Sequence, residues 1–330
     1  MHFRVECTVD GLIERGFEES ITYDLARVTT TNVSIQKNDP LPGESQSKSV
    51  TLKCTTSQDL DRTNGVDALE ASIANSKDGF HANFEGHAND RVQLIYAVVD
   101  PFFKQLRSDL ENATMLLKWR YGITDRPLKS FAGYAESLSV DGLGWRSISP
   151  IRGIKVVFTG AYGKITTSVA DDIRKMHEAG IETPLALQLL VEAKNQMKTY
   201  PRSALVIGVA AAEIALKQLI ADLVPDARWL VEKLSSPPAL QIARSYIPSL
   251  KVKAHFQGTN LELPKELLNQ LNNAVELRNK TVHAGATPPD FETLTGIMMA
   301  MEDIVWICSL YAGYPWAGEF ISYETKSSWK

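Results

Sequence analysis

The spacing of apolar and polar positions changes once along the chain. In the first half it runs by twos: Phe3, Val5, Cys7 and Val9 alternate with Arg4, Glu6 and Thr8, and Asp10-Gly11 follows. Successive strand side chains point to opposite faces, and Asp-Gly is a hairpin-turn pair, so this stretch predicts a strand entering a turn. The same test predicts strands over 21–28, 32–36, 49–55, 80–86, 131–140, 145–149 and 154–159, with a second hairpin at Asp141-Gly142. Residues 38–49, rich in Pro, Gly, Ser and Lys, predict a loop. One long helix interrupts the pattern: Phe103, Leu106, Leu110, Ala113 and Leu117 form a stripe between Pro101 and Tyr121. A shorter helix is expected over 67–75.

From about Thr166 the period becomes helical. Helices are predicted over 167–178, 184–199, 201–224, 227–234, 238–246, 264–282 and 291–311. Pro184, Pro201, Pro238 and Pro264 stand where a first helical turn has no use for an amide hydrogen. Asp290 is placed to cap the last of these helices, with Glu292 in its first turn. The expected class is therefore α+β. Residues 1–163 form a mostly β domain, a curved sheet or sandwich with one long helix, and residues 164–330 form an all-α bundle. The aromatic tail from Tyr314 to Trp329 reads as a segment folded back over the bundle or onto the first half.

Composition narrows the classes of function. The chain is long enough for two ordinary cores, and its charge is mildly negative (−4), which disfavours a protein that coats nucleic acid; any such contact must be local. The most apolar stretches, 204–224 and 294–311, are broken by Glu213, Lys217 and Asp222 and by Glu302-Asp303, so neither reads as membrane-spanning. Glu302-Asp303 itself reads as the edge of a dimer or domain contact. Cys7, Cys54 and Cys308 show no metal or redox spacing, which fits a reducing cytoplasm; His81 and His87 read as surface histidines. No phosphate-binding glycine loop, serine elbow or Cys/His nucleophile pair occurs, and no cofactor or metal is implied.

The chemistry concentrates at Arg278-Asn279-Lys280-Thr281-Val282-His283, followed by Ala284-Gly285. On a helix Asn279 and His283 share a face, whereas Arg278 and His283 diverge by roughly 140°. A long side chain, or a helix that ends at Gly285, is needed to unite all three. Arginine clamps phosphate in a fork, and histidine exchanges its proton near neutrality, the pair that phosphodiester cleavage asks for. Arg278 also falls on the apolar stripe of Leu268, Leu271, Val275 and Val282, where a cation requires a partner. A structural Arg278 and a catalytic one are both open at this point.

The helical half resembles the HEPN superfamily, small helical bundles widespread in bacterial defence and toxin systems. The resemblance rests on the Arg278-Asn279-x-x-x-His283 string, the Ala284-Gly285 exit, the long helix after it and two long helices before it, over about Pro184 to Tyr314. It implies a metal-independent endoribonuclease acting as a homodimer through the helical domain, with two motifs facing one cleft. His283 would be the general base or acid on a ribose 2′-hydroxyl, Arg278 would hold the scissile phosphate, and Asn279 would orient phosphate or imidazole. The first half resembles no family by any motif and would sense a trigger or select the target.

Two further features bear on that expectation. Glu213 lies in an apolar helix face with Val206, Val209, Leu216 and Ile220 and needs a partner, for which Arg278 is the candidate. It either orients Arg278 toward the cleft or fixes helix register as an ion pair. Between Ala227 and His255 the basic residues Arg228, Lys233, Arg244, Lys251 and Lys253 face a single acid, Glu232, with Trp229 and Tyr246 interleaved. With Lys280, this stretch is either an RNA-tracking patch, Trp229 stacking a base, or an ordinary solvated helix pair. The rival to the enzyme is a non-catalytic RNA-binding or protein-interaction module.

Overall fold

The computed structural model describes residues 1–10, 20–26, 30–38, 49–58, 89–124, 134–147, 169–233, 238–256 and 260–329. The strands expected over 80–86 and 154–159, the helix over 67–75, His81, His87 and Gly11 lie outside the described residues. The architecture is α+β: an antiparallel sheet early in the chain and mostly helices later. Two compact units divide it, Met1–Tyr121 with Lys129–Glu182, and Gly122–Leu128 with Thr183–Lys330.

The first unit holds strands β1 (His2–Asp10), β2 (Ile21–Leu25), β3 (Thr31–Lys37), β4 (Ser49–Ser57), β5 (Tyr134–Ser139) and β6 (Arg146–Ser147). They form one sheet in the order β2-β3-β4-β1-β5-β6, each neighbour antiparallel. Register carries the period-two pattern across it. Val5 lies opposite Cys54, Cys54 opposite Val33 and Val33 opposite Tyr23, all buried. The reverse face carries Arg4, Glu6, Asp24, Asn32, Ser34 and Lys53, exposed or half-buried. A strand with one buried face cannot slip by one residue without inverting every side chain, which is why this pattern was readable.

Helix α1 (Asn89–Arg120) packs on β1 and β4 through Phe103, Leu106, Leu110 and Ala113, and Phe3 stacks on Phe102 at 4.9 Å between centroids. It begins well before Pro101, which lies inside the helix rather than at its head. A proline within a helix forfeits a hydrogen bond and clashes with the turn before it, a penalty of about 3 kcal/mol or more that the apolar packing of α1 outweighs. Helix α2 (Val169–Glu178) belongs to this unit, packing on α1 and β2. Ile173, Met176 and His177 are its buried stripe. Arg120 Nε donates to Asp172 Oδ2 at 2.9 Å, and the Tyr23 hydroxyl lies 2.8 Å from His177 Nδ1. The change of period near residue 163 is thus not the change of unit, which falls at Glu182. An amphipathic helix rests on whatever apolar surface it meets, and α2 meets the first core.

In the second unit α3 (Leu185–Gln196) and α4 (Pro201–Leu223) form a hairpin, followed by α5 (Arg228–Lys233), α6 (Lys265–His283), α7 (Phe291–Tyr311) and α8 (Tyr323–Ser328). The expected helix over 238–246 is one α turn, Ala239–Gln241, opening into a π turn, Ile242–Tyr246. Pro248 has no N–H for the Arg244 carbonyl, so a regular helix cannot continue through it. Helices α4 and α7 are long and apolar enough to cross a membrane by length and composition, yet most of the apolar run of each is buried inside the unit. They are its core. At Gly208 an added Cβ would fall 2.5 Å from Met298 Cε, so the glycine admits the α7 side chain. The Asp290 carboxylate accepts from the Thr293 N–H at 2.8 Å, capping α7 as its sequence predicts.

The tail folds back on this bundle, with Trp316 and Trp329 buried. Asp303 accepts from the Ser322 N–H (2.8 Å), Ser322 Oγ (2.7 Å) and Thr325 Oγ1 (2.6 Å). Glu302 accepts from Lys194 Nζ at 2.8 Å and Thr124 Oγ1 at 2.6 Å. Glu302-Asp303 is therefore an internal tie. Both carboxylates are spent within the unit, which corrects the expectation of a contact edge.

Candidate functional site

The motif occupies the last two turns of α6. That helix ends directly after His283: the Ala284 and Ala286 N–H groups both return to the Lys280 carbonyl, at 3.0 and 3.2 Å. Gly285 sits at φ +66°, in the left-handed region where a Cβ is unfavourable. The chain thus turns away and leaves the final turn open.

Arg278 faces α4. Its Nη2 donates to Glu213 Oε1 at 2.6 Å, and the two side chains are 22% and 17% exposed, so the pair is partly desolvated and still reached by solvent. The acid that stands alone on the apolar face of α4 therefore meets the cation that stands alone on the stripe of α6. Only Nη2 is spent on this pair; Arg278 Nε is buried and makes no hydrogen bond, so it is the other guanidinium nitrogen that faces outward. Asn279, Lys280 and His283 are all exposed. Helical geometry puts Asn279 and His283 about 40° apart on one flank, roughly 100–140° around from Arg278.

Arg278 and Glu213 are joined, then, and Asn279 and His283 share the adjoining flank. The basic stretch is not part of this assembly. Trp229 (66%) and Tyr246 (40%) are exposed, as are Arg228, Lys233, Arg244, Lys251 and Lys253. The Lys253 N–H, however, donates to the carbonyl of Tyr311, the last residue of α7, and its side chain lies against Gly313. His283 precedes the loop into Phe291, the first residue of α7. Twenty residues of helix, about 30 Å, separate the two ends. Lys253 therefore lies at the opposite end of α7 from the loop that follows His283. Arg228 Nη2 lies 3.9 Å from Asp222 Oδ1 and is partly occupied.

One feature escaped the sequence. Between the head of α4 and the end of α6 lies an open groove of about 430 Å³ lined by Arg202, Ser203, Val206, Ile207, Thr281 and Val282. Only the register of two helices about 75 residues apart creates it. Val282, expected on the core stripe with Leu268, Leu271 and Val275, is instead 48% exposed, because the stripe runs out into this groove. Among the described residues no group of three or more His, Cys, Asp or Glu is placed to hold a metal ion.

No protein-family model, curated protein or solved structure matches the chain.

Proposed function

We propose that the second unit is a metal-independent endoribonuclease of the HEPN type. The observation that carries the reading is the last turn of α6. A half-buried guanidinium anchored on Glu213 through one nitrogen lies one flank around from an exposed amide and an exposed imidazole, on a helix stopped by Gly285. In the reaction the 2′-hydroxyl oxygen attacks the adjacent phosphorus and the bond to the 5′-oxygen breaks. The products are a 2′,3′-cyclic phosphate and a 5′-hydroxyl end. His283 takes the 2′-hydroxyl proton or delivers one to the leaving oxygen. Arg278 holds the phosphate and the charge growing on it, Asn279 orients phosphate or imidazole, and Glu213 is a positioning residue for Arg278. DNA, lacking the 2′-hydroxyl, is not cut.

The resemblance that motivates this reading also implies a homodimer through the helical unit, with a second imidazole as the complementary acid. Lys280 and the remote Arg244, Lys251, Lys253 and Trp229 would track an RNA longer than the cleavage site, and the first unit would sense a trigger or select the target. A cytoplasmic role in defence or as a toxin accords with an RNA substrate and three buried free cysteines.

The test is incubation with total RNA in excess chelator. Cleavage that persists there and falls about 10²–10⁴-fold in His283→Ala supports the enzyme. RNA left intact while still bound favours the second reading, a non-catalytic RNA-binding or protein-interaction module. The partial burial of Arg278 on Glu213 speaks for that alternative, because such a pair also fixes helix register.

A further inference from the structure

We infer that the groove between α4 and α6 is a nucleobase pocket for the nucleotide flanking the scissile phosphate. The choice of RNA as the source of that base rests on the ribonuclease reading. The groove itself does not. Helices α4 and α6 pack antiparallel: the Glu213–Arg278 contact lies deeper in the bundle, and Val206 and Ile207 meet Thr281 and Val282 nearer its end. Arg278 precedes Val282 by four residues, so the guanidinium stands about 6 Å down the same helix face. That is the spacing of neighbouring parts of one nucleotide, phosphate on the arginine and base in the groove.

The lining fits such an occupant in shape and in charge. Val206 and Ile207, half-buried, and Val282, exposed, give an apolar cleft suited to a flat ring. Its volume is within the range of small-molecule sites. Arg202 and Ser203 at the rim offer donors and a hydroxyl acceptor for the edge of a base. Arg202 makes no ion pair among the described residues and is exposed. Arg202 lines the groove and Arg278 stands one turn along the same face, whereas Lys280 and His283 lie on the other flank of α6; the nearby acid, Glu213, is already engaged. An uncharged apolar partner would meet the valines and isoleucine but leave Arg202 unmatched. A nucleotide satisfies both halves.

The test uses the full chain with methyl-labelled Ile and Val, titrated with AMP, CMP, GMP and UMP, and separately with ribose 5-phosphate. The expected result is a saturable shift of the Val206, Ile207 and Val282 methyl signals by at least one mononucleotide, with ribose 5-phosphate binding roughly tenfold more weakly or not at all. Ile207→Trp, which fills the groove, and Val282→Ala, which strips an exposed wall, each weaken mononucleotide binding about tenfold. Three results overturn the pocket: no methyl shift with about 10 mM mononucleotide; equal shifts from ribose 5-phosphate; or shifts that follow protein concentration alone, which would make the groove a contact between copies. Mononucleotide in the groove of a protein that cuts no RNA would sink the ribonuclease and keep the pocket. His283-dependent cleavage with silent methyls would do the reverse.

Discussion

Whether a guanidinium serves its own fold or a ligand depends on how many of its five donors are spent, and Arg278 spends one on Glu213 at 2.6 Å. Glu213→Gln keeps a hydrogen-bond acceptor and removes the charge. We expect a loss of about 1–3 kcal/mol in chemical denaturation, since both side chains are mostly shielded from water. If Glu213 positions Arg278, kcat on RNA falls while KM changes little. If the pair only fixes register, stability falls and cleavage is untouched. Arg278→Lys should lose cleavage as well, because an ammonium cannot reproduce the fork. A different carboxylate tests the loop between β5 and β6. Asp141 Oδ1 accepts from the Gly144 and Leu143 N–H groups and from Ser139 Oγ, which hold its pKa down to about 2, against an ordinary value near 3.9. A lowered carboxyl pKa contributes stability above the ordinary value that is lost as pH falls from about 4 to about 2. A carboxyl carbon NMR titration of Asp141 should show its midpoint near 2; a midpoint near 4 would mean the loop does not hold it.

At the scale of elements, the tail is fastened to α7 by one buried acid. Asp303, 4% exposed, collects three hydrogen bonds from Ser322 and Thr325. Asp303→Ala leaves those donors without their acceptor, and we expect a destabilisation of about 2–4 kcal/mol together with early proteolysis ahead of α8. Unchanged protease resistance of residues 314–329 would refute the anchor. How far such elements could be read from sequence depended on what each signal reports. The β1 alternation reports one buried face, and that face was found. The limits of α7 followed from Asp290 because a cap is a local device. The Glu213–Arg278 contact was readable because each charge stood alone on an apolar stripe. What period cannot report is which surface an amphipathic helix will rest on, so α2 went to the first core unforeseen. Nor does it report the register of distant helices, so the groove under Val282 and the distance from His283 to Lys253 both stayed hidden. The stripe from Pro101 to Tyr121 gave the C-terminal part of α1 but not its start, since period alone does not tell a proline at a helix head from one tolerated within.

For the whole molecule, the consequence lies in how the units are cut from the chain. The second unit is discontinuous. Gly122–Leu128 belongs to it although the rest begins at Thr183. The described part of that segment is woven in: Ile123 is 2% exposed, Thr124 Oγ1 donates to Glu302 Oε1 at 2.6 Å, and Lys194 Nζ donates to Thr124 Oγ1 at 2.9 Å. Gly122 has φ +60°, and a Cβ there would fall 2.4 Å from the Phe320 ring, so even alanine is excluded by both backbone and packing. A fragment of residues 183–330 keeps every motif and groove residue yet loses this strap. Burial of one isoleucine is worth about 1.5–3 kcal/mol and each lost hydrogen bond about 1 kcal/mol. The fragment should therefore be weaker by about 3–5 kcal/mol, or roughly 10 °C in melting temperature for a unit of this size. Hydrogen exchange of the α7 amides reports the same loss locally, without interference from the first unit. Ile123→Ala in the intact chain should reproduce about half of it. Equal α7 protection in fragment and intact chain would show that the strap is an ornament of the bundle rather than part of its core. Loss of protection with RNA cleavage retained would instead separate the two roles, since the proposed chemistry would draw only on α4 and the last turn of α6 whereas their endurance would need residues that precede α2 in the chain.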